Sequence, residues 1–180
     1  MGMKLEKISP ELEAFIRKQK IFFVSTAMAE GRVNLSPKGM DTFRVLGPNR
    51  VMWLNLTGSG NETATHLRSS NRITVMFCAF EGKPLILRLY GTAQVYHPRD
   101  KAWEEYIGLF PKLAGSRQLI DIQVELVQSS CGMAVPFMDY QGERESLKAW
   151  AEKKGEERLH DYWQEKNTIS LDGHSSGILE

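Results

Sequence analysis

Two cysteines in 180 residues, Cys78 and Cys131, are too few and too far apart in the chain to form a metal-ligand cluster. Free thiols in a reducing cytoplasm are the plain expectation. No apolar run approaches the roughly 18 residues that a membrane-spanning helix needs. The start of the chain, Gly2-Met3-Lys4-Leu5-Glu6-Lys7, is too charged for a signal-peptide core, and Lys7 stands where a myristoylation motif wants Ser or Thr. An excess of one charge is also missing, with 23 Lys and Arg against 22 Asp and Glu. Neither nucleic acid nor an anionic membrane is therefore expected as a partner. The four histidines, His66, His97, His160 and His174, make no metal spacing, so no metal is expected.

What is present is a globular composition, 42% apolar and 25% charged, long enough for one domain with its own core. Ser9-Pro10-Glu11-Leu12 opens a helix, with Ser9 as cap, Pro10 in the first turn and Leu12, Phe15 and Ile16 as the apolar stripe. Residues 21–27 and 33–37 form a β-hairpin around Glu30-Gly31-Arg32. A turn at 47–50 joins strands near 43–46 and 51–56. Residues 73–80 and 85–96 are further strands, and Gly91 inside the second marks a bulge or a close backbone approach. Residues 100–110 are helical. Along 119–127 the chain alternates, placing Leu119, Asp121, Gln123, Glu125 and Val127 on one face and Ile120, Ile122, Val124 and Leu126 on the other. From 143 to 166 the chain is helical and charged, broken at Gly155, and the tail is irregular. Six or so strands with tight turns make a mainly β fold, a small barrel with flanking and C-terminal helices. One domain is expected, with a core over about 10–130 and a helical extension over 131–180.

Three segments could carry chemistry. Thr57-Gly58-Ser59-Gly60-Asn61-Glu62-Thr63 joins two glycines and several short polar side chains to a helix start. Unpaired amides and the positive dipole end suit a phosphate there, while a simple capped turn explains the same residues. Ser59 and Glu62 have capping-box spacing. Asn34-Leu35-Ser36-Pro37-Lys38 ends a strand in a hydroxyl and an ammonium, against the alternative of a solvent-facing Lys. Arg88 in Arg88-Leu89-Tyr90-Gly91 is suited to a phosphate or carboxylate, or to an ordinary surface ion pair.

Taken in order, Phe22–Ala27, Gly31–Gly39, Val51–Asn55, the 61–67 helix, Ile73–Phe77 and Leu87–Ala93 resemble the pyridoxamine 5′-phosphate oxidase-related FMN-binding family. The stretches 130–136 and 142–144 resemble a bacterial subgroup of it. The resemblance implies a six-stranded split β-barrel and a homodimer, with FMN in each of two clefts between subunits. It places Asn34, Ser36 and Lys38 along the isoalloxazine ring, and Lys38 near its pyrimidine edge. Trp53 and Asn55 fall beside the flavin, and Thr57, Ser59, Asn61 and Thr63 around the phosphate. No catalytic side chain is assigned.

Two departures stand out. The oxidases carry an Arg-Lys pair where this chain has Glu62-Thr63, and Arg88, from the other subunit, is the candidate replacement. Glu62 would repel a phosphate unless turned away toward Ser59. The oxidases also end in a region with Trp and Arg groups that close over FMN and substrate, whereas this chain ends in a charged helix and a polar tail. A flavin-dependent oxidoreductase that is not a true pyridoxamine 5′-phosphate oxidase is the expected function. The alternatives are a non-catalytic module for FMN or a small anion, a plain dimeric scaffold with an empty cleft, and a different flavin or a haem in the same fold.

Overall fold

The computed structural model describes residues 2–180. In chain order the elements are β1 (Met3–Leu5), α1 (Pro10–Lys18), β2 (Phe22–Thr26), β3 (Asn34–Lys38), β4 (Phe43–Gly47), β5 (Arg50–Leu56), α2 (Glu62–Ser69), β6 (Arg72–Cys78), β7 (Ile86–Tyr96), α3 (Lys101–Tyr106), β8 (Ser116–Ser130) and α4 (Ser146–Lys166). The strands pair antiparallel in the order β3-β2-β6-β7-β8-β5-β4, with β1 added to the second half of β8. Besides the short β1, which has one partner, the edges among the described residues are β3 and β4, which are neighbours in sequence. The Gly39–Thr42 turn joins them, with Met40 and Asp41 in left-handed backbone at φ 63° and 55° and the Thr42 hydroxyl donating to the Gly39 carbonyl. The barrel is split at this point: side chains, not a ladder, close it. Phe22, Phe43, Trp53 and Phe77 meet edge-to-face across the gap, with Phe22 and Phe43 centroids 4.9 Å apart.

The core follows the strand alternation. Val24, Val51, Val75, Leu87, Leu89, Ile120 and Ile122 point inward, capped at one end by Ile16 of α1. A second cluster of Met52, Leu54, Phe110 and Leu119 forms on the outer face beneath α3, so β5 and β8 are apolar on both sides there. The Ser9 cap forms as expected, its hydroxyl accepting from the Leu12 amide at 3.3 Å.

Three expectations need correction. β1 was not foreseen; its three residues are held by pairing with Val127–Ser129, a partner distant in sequence. The alternation along β8 is not uniform. A register shift opposite Tyr90 and Gly91 leaves Glu125 unpaired, so Val127 turns into the core instead of sharing the face of Gln123 and Glu125. The capping box does not form. Asn61 is the N-cap of α2, and no side chain caps that helix.

The C-terminal half of α4 begins beyond Gly155, whose φ of 71° and ψ of 169° break the helix where the sequence placed the break. The tail beyond α4 has little regular structure, yet it is built into the protein. Asn167, Ser170, Ser176 and Ile178 are buried. Arg99 donates to the carbonyls of Gly177 and Ile178 at 2.7 Å, Arg68 pairs with Glu180 at 2.7 Å, and Arg32 pairs with Asp172. Among the described residues, no helix is long and apolar enough to cross a membrane.

Candidate functional site

Where β3, the end of β5, the 57–61 loop and the start of α2 converge lies a cleft of about 410 Å³, inside the size range of small-molecule sites. Asn34, Ser36, Lys38, Asn55, Ser59, Asn61 and Thr63 all line it. Seven of the ten residues singled out in the sequence therefore share one cavity, although they span four separate segments. The hairpin register explains β3: Asn34, Ser36 and Lys38 alternate with outward Leu35 and Pro37 and so present one face to the cleft. The Asn34 amide donates to the Thr63 hydroxyl at 3.1 Å and so ties β3 to the first turn of α2.

The other three residues stand elsewhere. Trp53 is in the barrel core, touching the site only through Lys38, whose Nζ lies 5.0 Å from the ring centroid. Thr57 is fully used within the protein: its hydroxyl donates to the Gly115 carbonyl and accepts from Trp163 Nε1, both at 2.8 Å. It fastens the loop to α4 and has no hydrogen left for a ligand. Arg88 donates to the Ser130 hydroxyl at 3.1 Å, and Ser130 and the cleft residue Arg117 occupy opposite ends of the fifteen-residue β8. Within its own subunit Arg88 does not reach the cleft.

Arg117 is the residue that sequence reasoning missed. At the start of β8 it is almost completely enclosed, with Nη1 donating to Asn167 Oδ1 at 2.6 Å and Nη2 to the Gly60 carbonyl at 2.9 Å. Its Nε has no partner. No carboxylate pairs with it, and burial lowers its pKa to about 10, partly offset by Tyr162. An unpaired enclosed guanidinium is costly, which marks this one as a site rather than a stabilising contact. The sequence signal was faint: Ser116-Arg117-Gln118-Leu119 places a cation next to an apolar strand, but nothing there says which way it points.

Lys38 adds a second cation. Burial first and the charge of Arg117 second lower its pKa to about 8. Lys166, from the end of α4, lines the mouth together with Ile169, Ser170 and Leu171 of the tail. The lone carboxylate in the lining, Glu62, accepts from the Leu171 amide at 3.1 Å and lies 3.9 Å from His66 Nε2. It is engaged by the tail and not by Ser59. Among the described residues three buried side-chain polar atoms stay unpartnered, Asn55 Oδ1, Asn61 Oδ1 and Arg117 Nε, and all three belong to residues of this cavity. Buried polar groups are normally satisfied; the two amide oxygens call for donors and Arg117 Nε for an acceptor, so the cavity suits a polar guest that carries both, with Arg117 and Lys38 to meet any negative charge. The tail completes it: Asn167 Nδ2 donates to the Gly58 carbonyl at 3.1 Å and so braces the glycine loop from behind.

A split antiparallel barrel with a cationic, polar cleft beside its gap defines the class of split β-barrel proteins. A family profile described as pyridoxamine 5′-phosphate oxidase matches residues 8–131. The chain is 37% identical, over 96% of its length and 77% of the relative's, to the pyridoxamine 5′-phosphate oxidase family protein ustO of Aspergillus flavus, a fungal relative. Among solved structures, HupZ of Group A Streptococcus superposes with a TM-score of 0.51 at 21% identity, covering 66% of this chain and 91% of that one. The FAD binding protein from Mycobacterium smegmatis gives 0.50 at 12% identity, over 70% and 97%. The chain belongs to the pyridoxamine 5′-phosphate oxidase family.

Proposed function

We propose that the cleft binds FMN and that the protein is a flavin-dependent oxidoreductase acting as a homodimer in the cytoplasm. The observation that carries this reading is the set of three buried, unpartnered polar atoms in a cavity holding Lys38 and Arg117 and no free carboxylate. Arg117 and the uncapped start of α2 suit the phosphate, taking the place of the missing Arg-Lys pair. Asn34, Ser36, Lys38 and Asn55 suit a flat heteroaromatic ring with polar edges. When bound, a flavin supplies the acceptance and return of two electrons; the protein orients it and excludes water. The lining contains no histidine, cysteine, methionine or tyrosine among the described residues, which favours a flavin over a haem. The visible spectrum after incubation with FMN and desalting tests the reading. A retained flavin spectrum is expected; a colourless protein overturns it. Anaerobic bleaching by NAD(P)H then separates an oxidoreductase from a non-catalytic FMN or anion module.

The affinity should depend on pH through Lys38. Its ammonium persists below its pKa of about 8, so FMN binding is expected to be level up to about pH 7 and to have fallen by about half at pH 8. Above that it weakens, by up to about tenfold per unit. In the protein without ligand the sign reverses. The depressed pKa means that the fold disfavours the charged form, so stability rises as pH climbs from about 8 toward 10.5, the ordinary value for a lysine. FMN titrations between pH 7 and 9.5 check the first effect, and an affinity unchanged across pH 8 removes Lys38 from the site.

Dimerisation rests on exposed apolar side chains that lie outside the core. Val33 and Leu35 face outward at edge strand β3, and Met133, Phe137 and Met138 stand exposed after β8. A symmetric partner would cover them and wall the open side of the cleft. Light scattering should give twice the 20.5 kDa chain mass, and a monomer at micromolar concentration contradicts it. Both cysteines are free thiols, as suits a reducing compartment.

Efficient oxidation of pyridoxamine 5′-phosphate is not expected. A second phosphate would need further cations, and Arg144 and Lys153, cations of the C-terminal segment, are exposed and do not line the cleft, where Ile169, Ser170 and Leu171 stand instead. Peroxide formation by the FMN-loaded protein with kcat/KM at or above about 10⁴ M⁻¹s⁻¹ would contradict this.

A further inference from the structure

Asn55, Gln118 and His97 form a buried polar line that leads away from the cleft into the protein. Asn55 and Gln118 face each other across β5 and β8, and Asn55 Nδ2 donates to Gln118 Oε1 at 2.9 Å. Gln118 Nε2 in turn lies 3.2 Å from His97 Nε2. Beyond the imidazole stands Asp100, whose Oδ2 accepts from the His97 backbone amide at 2.7 Å and lies 3.7 Å from Nδ1.

Each link has a donor side and an acceptor side, and the sense of the line is that of the bond from Asn55 Nδ2 to Gln118 Oε1. Asp100 agrees with it: its carboxylate, 3.7 Å from Nδ1, is too far for a hydrogen bond but favours a hydrogen on that nitrogen electrostatically. Burial, helped by Arg99 and Arg68 and opposed by Asp100, lowers the His97 pKa to about 4, so the ring is neutral and holds one proton. With that proton on Nδ1, Nε2 is an acceptor. Gln118 must then turn its NH₂ toward His97 and its oxygen toward Asn55. Asn55 commits one N–H of its amide to Gln118, which fixes the amide's sense, and its Oδ1 is buried without a partner on a residue of the cleft.

We propose that Asn55 is a specificity-determining acceptor, held in that sense by the Gln118–His97–Asp100 line, and that it selects a ligand presenting an N–H group. On the FMN reading above, on which the ligand half of this inference rests, that group is the imide N–H of the flavin ring. Gln118, His97 and Asp100 are positioning residues. They touch no ligand, yet they decide whether Asn55 shows a carbonyl or an amide to the cleft. A ligand with a bare acceptor at that place meets an oxygen facing an oxygen and is rejected.

Two measurements test this. Nitrogen-15 spectra of the histidine rings in the ligand-free protein at pH 7 should show His97 protonated at Nδ1 and bare at Nε2. An Nε2–H tautomer or a doubly protonated ring overturns the line. FMN and 3-methyl-FMN, which lacks the imide hydrogen, are then titrated side by side. Wild type should prefer FMN by about tenfold to a hundredfold, the range for an unmade buried hydrogen bond. Gln118→Leu should reduce that preference to about threefold or less, because Asn55 becomes free to turn. A preference arising only from the bulk of the methyl group would survive Gln118→Leu, and that result overturns the proposal. Asp100→Asn, at a half-exposed residue, is the variant to use if Gln118→Leu does not fold. It offers the ring an amide of either polarity, so the His97 tautomer and the FMN preference should change together; a changed tautomer with an unchanged preference also overturns the proposal. If the tautomer is as stated and neither flavin binds, the FMN reading and the ligand half fail, while the polarity of Asn55 stands.

Discussion

Gly91→Ala is expected to remove much of the protein's stability. Gly91 sits in the middle of β7 at the register shift against β8, and a Cβ there would lie 1.9 Å from the Gln123 carbonyl oxygen and 2.9 Å from its carbon. Both atoms are backbone, so no side chain can rotate away. Relief requires β7 and β8 to separate, and β7 is hydrogen-bonded to β6 on its other edge. Overpacking a core usually costs about 1–3 kcal/mol, and more when the obstacle cannot move. A loss of about 3 kcal/mol or more is expected, against a total stability on the order of 5–15 kcal/mol. Gly47→Ala is the control, because nothing lies within 4 Å of the added carbon and its φ is ordinary. Denaturant midpoints of the two variants decide the matter; a loss below about 1 kcal/mol for Gly91→Ala would show that the bulge opens easily.

Arg117→Met should abolish most FMN binding while changing the stability of the ligand-free protein less. Hydrogen bonds to a charged group contribute about 1.5–3 kcal/mol, or roughly 10- to 150-fold in affinity. On folding stability two effects oppose each other. The variant removes a buried cation that has no carboxylate, and it leaves Asn167 Oδ1 and the Gly60 carbonyl without their donor. Lys38 reports separately. With the repulsion of Arg117 gone its pKa should move upward from about 8, leaving burial as the remaining cause of depression. Arg117→Lys, which keeps charge but loses the planar fork, should bind FMN with intermediate affinity. Unchanged FMN titrations in Arg117→Met would place the anion elsewhere.

The contrast between Arg117 and Arg88 shows where a sequence reading stops. Both are arginines on strands rich in apolar residues, and Arg88 drew notice because it stands within a recognisable motif. Which one meets the cleft depends on strand length and on the register between β7 and β8, set by pairings between distant segments. Glu62 shows the same limit. Its spacing from Ser59 suggested a local cap, but the Leu171 amide, more than a hundred residues away, takes its carboxylate.

Local rules sufficed where structure was local. The Ser9 cap, the β2–β3 hairpin, the turn before β5, the special role of Gly91 and the break at Gly155 were all legible, because each rests on residues a few positions apart. So was the presence of Asn34, Ser36 and Lys38 on one strand face, because strand alternation is a period of two. The class of fold followed from the order of such motifs. Tertiary structure alone decided that Arg117 is the enclosed cation, that Trp53 and Thr57 serve the scaffold, that the tail walls the cleft, and that Asn55 Oδ1 is left without a partner. Those are facts about which buried polar group remains unpaired after every other pairing is made. A count of that kind involves the whole folded chain at once, since each hydrogen bond made by Gln118 or Asn167 removes a choice from a partner far along the sequence.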